Sequence, residues 1–125
     1  GLMKQGLTQE QLEALCREWQ GILRLQDWDV KPELVRRFDL LDESRQGECQ
    51  YELQLKAAVI RVLRAEDLPP SPWPADLEKT LVHELLHLHF APFMPEPEEG
   101  LRHVAAEQAI ELIAEALVRL KRNGE

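Results

Sequence analysis

The sequence predicts an α+β fold with an N-terminal helix, a small twisted and mostly antiparallel β-sheet, a central helix packed on that sheet, and a C-terminal helix. Three observations lead to this prediction. Apolar residues recur at helical spacing near both ends of the chain and around residue 83. Two stretches between residues 28 and 64 are rich in strand-forming residues, and four prolines between residues 69 and 74 separate them from the helices that follow.

Length and composition indicate one ordinary globular domain. The chain has 125 residues, of which 44% are apolar and 30% charged, so it can bury one core but not two independent ones. We expect a single domain over residues 1–125, in which residues 1–7 form a flexible start or one added to the natural chain. No apolar run has the length of a membrane span or the form of a signal peptide, which predicts a cytoplasmic protein that does not contact membranes.

Net charge and cysteine usage exclude further classes. The formal charge of −8 argues against nucleic acid as the main partner, because phosphate binding depends on clustered Lys and Arg. Cys16 and Cys49 are too far apart for a C-x-x-C pair, so neither a zinc ribbon nor a redox dithiol is expected. Cys16 falls on the apolar side of the first helix and is predicted to be a core residue.

The elements before residue 75 follow from local patterns. Thr8 and Gln11 form a capping-box pattern at the start of the first helix. Residues 28–35 contain Pro32 and predict an edge or bulged strand. Residues 49–64 are long enough for two strands, with the position of the bend left open and residues 59–63 as the more buried part. The proline-rich segment then ends the sheet region.

A central helix is predicted over about residues 75–90, "ADLEKTLVHELLHLHF". Its leucines form one apolar stripe, whereas His83 and His87, four residues apart, share another face with Phe90. We therefore expect the histidines to face a cleft and the leucines to lie on the sheet. The stripe consists of Leu77, Leu81, Leu85 and Leu88.

His83, Glu84 and His87 form an H-E-x-x-H motif on this helix. Two imidazoles one turn apart can reach the same ion, and Glu84, about 100° round the helix from His83, can reach a water on that ion without displacing it. This is the position that a general base requires. A chance match in a chain of this length is expected on the order of a few times per thousand sequences.

The segment "TLVHELLHLHF", followed by a helix containing "AAEQAIELIAEAL", resembles a minimal zincin metallopeptidase of the gluzincin type, and is similar in outline to ImmA/IrrE-type and phage- or prophage-encoded zincins. The resemblance implies a zinc peptidase with one zinc per chain, with His83 and His87 as ligands and Glu84 as catalytic base. The glycine and third histidine of metzincins and the zinc-ribbon cysteines of many SprT-like proteins are absent. His89 is expected to point away from the ligands.

The third zinc ligand is expected from the last helix, because catalytic zinc usually has three protein ligands. If this helix returns antiparallel to the central one, Glu107 comes level with His87, so Glu107 is the predicted ligand and Glu111, one turn later, the alternative. The predicted apolar face of this helix comprises Ala106, Ile110, Ile113, Ala114, Leu117 and Leu120.

Other residues receive weaker assignments. His103 either hydrogen-bonds a substrate carbonyl or the oxyanion formed from it, or is a partly buried histidine at the helix start. Tyr51 could make a similar substrate contact, although a strand tyrosine more often only packs. The strand over residues 59–63 is a candidate edge along which an extended peptide could add.

The predicted function is therefore hydrolysis of peptide bonds in a peptide or protein by a zinc-bound water that Glu84 activates. One alternative is a catalytically silent zincin-fold binding or regulatory protein, such as a phage-associated module. Another is a latent enzyme whose cleft is covered by its own loop of residues 91–100. Glu84 favours catalysis, because a purely structural zinc site does not need that carboxylate. The sequence does not predict an oligomeric state.

Overall fold

The computed structural model describes residues 6–125, and this part of the chain forms three α-helices and one three-stranded sheet. The α+β class is confirmed. The predicted flexible start falls mostly on residues 1–5, which lie outside the described residues. The helices are α1 (Gln9–Ile22), α2 (Leu77–Phe90) and α3 (Leu101–Asn123), and the strands are β1 (Asp29–Val35), β2 (Gly47–Glu52) and β3 (Ala57–Leu63).

Helix α1 begins with the predicted capping box. The Gln11 backbone N–H donates to Thr8 Oγ1 at 3.1 Å, and the Thr8 N–H donates to Gln11 Oε1 at 2.9 Å. Cys16 is fully buried in the core, as predicted. The buried face of α1 therefore follows the apolar spacing of the sequence, and it covers β1.

The sheet has the order β1-β3-β2, with β3 parallel to β1 and antiparallel to β2. It is thus mixed, where the sequence predicted mostly antiparallel pairing. The prediction that residues 59–63 form an exposed edge is wrong, because β3 is the central strand. Its sequence, "AAVIRVL", buries Ala58, Ile60, Val62 and Leu63, and the most apolar strand gains most from the central position.

Both edge strands fit their sequences. β1 carries Pro32, whose ring nitrogen has no hydrogen to donate, and it lies at an edge as predicted. β2 and β3 are joined by a short turn at residues 53–56, which locates the bend that the sequence left open. The polar sequence of β2, "GECQYE", is largely exposed beyond its first three residues.

Helix α2 packs its leucine stripe on the sheet. Asp76 caps the helix by accepting the Lys79 backbone N–H at 3.1 Å, so α2 begins at Leu77, two residues after the predicted start. The four stripe leucines are buried, and Val82 and Leu86 beside them are buried as well. The opposite face of α2, which carries the histidines, is covered by α3.

Helix α3 runs antiparallel to α2, since residues near its end contact the first turn of α2. Arg122 donates to both carboxylate oxygens of Asp76 at 2.7 and 3.0 Å, and Lys121 Nζ lies 2.6 Å from Glu78 Oε2. We call these four residues the helix-end clamp. The clamp fixes how α3 lies along α2, and therefore which residues of the two helices meet.

The predicted apolar face of α3 is only partly correct. Ile110 and Ala114 are buried, but Ile113 is 39% exposed and Leu120 68% exposed, while Val118, which was not predicted, is buried. The prediction was wrong for Ile113 and Leu120 because α3 carries apolar residues on more than one side. The stripe Ile110–Ala114–Val118, with a spacing of four residues, is buried in the core, and Leu117, which was predicted, packs against it half-buried.

Within residues 6–125, none of the helices combines the length and apolar character required to cross a bilayer.

Candidate metal centre

Helices α2 and α3 bring His83, His87 and Glu107 together. One ligand atom from each lies within 4.8 Å of the others. The Nε2 atom of His83 is 3.3 Å from Glu107 Oε2, and the Nε2 atom of His87 is 3.1 Å from Glu107 Oε1. The i,i+4 spacing on α2 and the antiparallel course of α3 produce this arrangement.

The donor set fits a zinc ion. Two imidazole nitrogens and one carboxylate are a common ligand set of catalytic zinc, with bonds of about 2.0–2.2 Å. Around a tetrahedral ion with bonds of that length, neighbouring ligand atoms lie roughly 3.3 Å apart. The nitrogen–oxygen separations of 3.1 and 3.3 Å are of this size, but they run to different oxygens of Glu107, so small side-chain movements would bring one oxygen into a shared coordination shell.

Glu111 lies on the other side of the His83 ring. Its Oε1 is 3.0 Å from His83 Nδ1, and its Oε2 is 3.4 Å from Lys79 Nζ. When Nδ1 carries the proton and donates it to Glu111, the Nε2 lone pair of His83 points towards Glu107 and His87. A carboxylate in this position fixes the tautomer and orientation of a ligating imidazole.

The charges of this cluster are strongly coupled. Burial alone would lower the pKa of His83, but the neighbouring carboxylates, Glu107 first among them, outweigh burial and raise it to about 9. Hydrogen bonds from His83 and His87 in turn hold the pKa of Glu107 far below its usual range. In the absence of a metal, the cluster therefore holds His83 protonated on both ring nitrogens at neutral pH, and a bound metal ion would replace the proton on Nε2.

Glu84 is a buried carboxyl group, only 7% exposed, beside the two histidines. Burial raises its pKa, the nearby His83 and His87 oppose that shift, and Glu107 adds to it, so the net pKa is raised. A raised pKa brings a carboxyl group closer to the range in which it can both accept and release a proton.

Gly47 allows β2 to approach the site and was not singled out from the sequence. A Cβ at this position would lie 2.6 Å from Thr80 Cγ2 and 3.3 Å from Glu84 Oε2. The glycine is buried at the first residue of β2. The sequence shows a glycine before a strand. The requirement for a glycine at this position follows only from the contact between β2 and α2.

A cavity of about 1130 Å³ opens beside the metal-ligand candidates, and we call it the cleft. His83, Glu84 and Glu107 line it, which leaves the general-base candidate accessible to a substrate. The loop of residues 91–100, which a latent form would use as a cover, is not among its walls. The walls are residues 45–47 before and in β2, residues 68–76, and residues of α2 and of α3 between His103 and Glu111.

The remaining candidate residues, His103, Tyr51 and His89, differ in whether they line the cleft. His103 lines the cleft, and its Nδ1 is 2.9 Å from the carbonyl oxygen of Pro95, so it also ties the start of α3 to the preceding loop. Tyr51 is 40% exposed and is not part of the cleft wall. His89 contacts the carbonyl oxygen of Leu23 through Nε2 at 2.7 Å, away from the cluster, as predicted.

Comparisons of the chain with protein-family models, with curated proteins and with solved structures find no match.

Proposed function

We propose that this protein is a zinc-dependent metallopeptidase with one zinc ion per chain. The observation that carries the proposal is the convergence of His83, His87 and Glu107 beside the buried Glu84, with His83, Glu84 and Glu107 on the wall of an open cleft. A structural zinc site would instead be closed by a fourth protein ligand. The proposed ligands are His83 Nε2, His87 Nε2 and the Glu107 carboxylate, with Glu111 orienting His83 from its Nδ1 side.

The proposed reaction is hydrolysis of a peptide bond. Bound zinc would supply a Lewis acid that polarises the peptide carbonyl and lowers the pKa of water. Glu84 accepts a proton from the attacking water and passes it to the nitrogen of the leaving amine. Because Glu84 is buried and flanked by two imidazoles, its carboxyl group is held close to the reacting atoms.

His103 is the second proposed contact to the substrate. With its Nδ1–H donated to Pro95, the Nε2 atom can donate a hydrogen bond only when the ring is protonated. The proposed role is therefore donation of a hydrogen bond by the charged imidazole to the developing oxyanion.

The proposed substrate is an extended peptide lying along β2. This strand is an edge of the sheet, pairs only with β3, and begins beside Glu84. Gln46 O accepts the Leu63 N–H, so the alternation of antiparallel pairing turns the backbone groups of residues 47, 49 and 51 outwards. An added peptide strand could pair with these groups.

A cytoplasmic location of the protein remains a prediction from the sequence.

The decisive experiment combines metal analysis with cleavage of a broad peptide library by the purified protein. We expect one zinc per chain, and cleavage that a chelator abolishes and added zinc restores. Glu84→Gln should keep the zinc but lower kcat by about 10²–10⁴-fold, because the amide cannot accept the proton. Cleavage by this variant near the wild-type rate would refute the role of Glu84. Zinc without any cleavage would favour the binding or regulatory protein.

A further inference from the structure

One wall of the cleft is apolar and unusually exposed. Residues 69–74, "PPSPWP", line the cleft directly before α2, and we call them the proline–tryptophan shelf. Trp73 is 77% exposed, whereas Trp19 and Trp28 are 0% and 8% exposed. Large exposed apolar side chains that face a cavity commonly mark a binding surface.

The shelf is held in place before any ligand binds. Leu68 anchors its start in the core, and Asp76, within the helix-end clamp, fixes the chain just beyond its end. The Trp73 backbone N–H donates to Ser71 Oγ at 3.1 Å. Four prolines restrict the backbone dihedrals, so little conformational entropy remains to be lost when a ligand binds.

Val104 of α3 completes the apolar part of the cleft. It is 49% exposed and lines the same cavity as Trp73, His83 and Glu84. A peptide chain that reaches Glu84 therefore comes within the cavity that the shelf and Val104 also line. The apolar wall is continuous with the proposed reaction centre and is not a separate surface.

The polarity of the shelf limits what it can accept. The charged side chains of the cleft, at Asp76, Glu84, Glu107, Glu111, Arg45 and Lys79, lie outside residues 69–74, and bound zinc would offset the charge of the carboxylates around it. Residues 69–74 themselves carry no charged side chain. An uncharged apolar side chain therefore matches the surface that the shelf offers.

We infer that the proline–tryptophan shelf and Val104 form a subsite for a bulky apolar or aromatic side chain of the peptide substrate, near the scissile bond. The assignment rests on the proposed peptidase function for its substrate. Trp73 is the specificity-determining residue, since its indole offers a large rigid surface against which an aliphatic or aromatic group can pack.

Trp73 also provides the means to test the subsite. Because it is the exposed member of the three tryptophans, a peptide that covers it should shift the emission to shorter wavelength and reduce quenching by acrylamide. Binding is measured on zinc-loaded Glu84→Gln, so that turnover does not interfere. The probes are alanine-based peptides that carry one Phe, Leu, Ala or Glu at the same position, and isothermal calorimetry follows the variants that lack the indole.

We expect the Phe and Leu peptides to bind about tenfold more tightly than the Ala and Glu peptides, with protection of Trp73. Trp73→Ala, in the same Glu84→Gln background, should remove that preference, and Trp73→Phe should restore most of it. Phe38→Ala is the matched control, because Phe38 is 73% exposed but does not line the cleft, and it should leave the preference intact.

The outcomes separate the subsite from the peptidase proposal. Selective binding of the Phe and Leu peptides, lost in Trp73→Ala, with no cleavage by the wild type would support the subsite and refute the peptidase. If the wild type cleaves peptides but shows no apolar preference, or shows one that Trp73→Ala does not change, the peptidase proposal stands and the subsite is overturned. Equal binding of all four peptides, or no binding, would also overturn it.

Discussion

The two edges of the sheet differ in how their outward backbone groups are satisfied. On β1, Arg17 donates to the Val30 carbonyl at 3.1 Å. The Gln9 side chain bonds both the Pro32 carbonyl, at 2.7 Å, and the Leu34 N–H, at 3.0 Å. On β2, no side chain of residues 6–125 is hydrogen-bonded to an outward backbone group, and the strand begins beside Glu84.

The difference indicates which edge is available to another chain. Gln9 uses its amide as a neighbouring strand would use its backbone, and Pro32 removes one donor from the same edge. β1 is thereby closed to strand addition. β2 has no such hydrogen-bonded cover, and its first residue, Gly47, borders the cleft. Two predictions test the metal site beside the open edge, and the two after them test whether the edge serves that site.

The largest effect is expected from removing a histidine ligand. His83→Ala or His87→Ala should each release zinc, abolish cleavage and remove the rise in melting temperature that zinc produces in the wild type, since zinc bound to the folded state stabilises it. Metal analysis and thermal unfolding with and without zinc measure this. His89→Ala is the control, because His89 lies outside the cluster. Stoichiometric zinc in both ligand variants would mean that the metal binds elsewhere.

The next largest effect distinguishes Glu107 from Glu111 on α3. Glu107→Ala should weaken zinc binding more than Glu111→Ala, because Glu107 faces both Nε2 atoms and Glu111 contacts only His83 Nδ1. For Glu111→Ala, we expect a loss of about 10–100-fold in zinc affinity, the range found when a partner of a ligating histidine is removed. Competition with a chromophoric chelator gives both affinities. A greater loss at Glu111 would reverse the assignment.

A smaller effect is expected from separating β2 from α2. Gly47→Ala puts a Cβ 2.6 Å from Thr80 Cγ2, so the Thr80 side chain, β2 or α2 must shift, and we expect roughly a tenfold loss in kcat/KM with about 1–3 kcal/mol of destabilisation. Thr80→Ser removes that methyl group and keeps the hydroxyl. Adding Thr80→Ser to Gly47→Ala should recover part of both losses. Wild-type kcat/KM in Gly47→Ala would show that the close approach is not needed.

The smallest effects compare the two edges directly. Tyr51→Pro removes an outward N–H of β2 and should lower kcat/KM about three- to tenfold, whereas Tyr51→Val, which keeps the N–H, should have less effect. Gln9→Ala uncovers β1 and should lower the free energy of unfolding by about 1–2 kcal/mol without changing kcat/KM. Peptide-cleavage kinetics give kcat/KM for all three variants, and urea denaturation gives the free energy of unfolding of Gln9→Ala. Equal kinetics for the proline and valine variants would place the substrate away from β2.

The parts of the structure that sequence could predict are local or periodic. The capping box at Thr8 needs only a spacing of three residues, and the common face of His83 and His87 needs only one helical turn. Glu107 required one additional assumption, that α3 returns antiparallel to α2, and the structure brings Glu107 to both histidines.

The parts that sequence could not predict depend on contacts between distant segments. β3 is central because it pairs with β1 as well as with β2. This pairing aligns Asp29 with Ala57, although β2 lies between them in the sequence. The side of α3 that faces the core could not be predicted from its sequence, because apolar residues occur on several sides of this helix. The reason for a glycine at position 47 is a helix that begins thirty positions later in the chain.

The helix-end clamp links the shape of the cleft to acidity. Burial raises the pKa values of Glu78 and Asp76, but hydrogen bonds from Lys121, Trp19 and Arg122 outweigh it and hold them below their usual values of 4.5 and 3.8. Carboxyl groups with lowered pKa values stabilise the fold above those usual values, and the stabilisation is lost as the pH falls through the lowered ones. Protonation would release the first turn of α2, which adjoins the shelf. As the pH is lowered below 3.8, we expect the protection of this turn against hydrogen exchange to fall before that of β3 falls, and a simultaneous loss of protection in both would exclude such local opening.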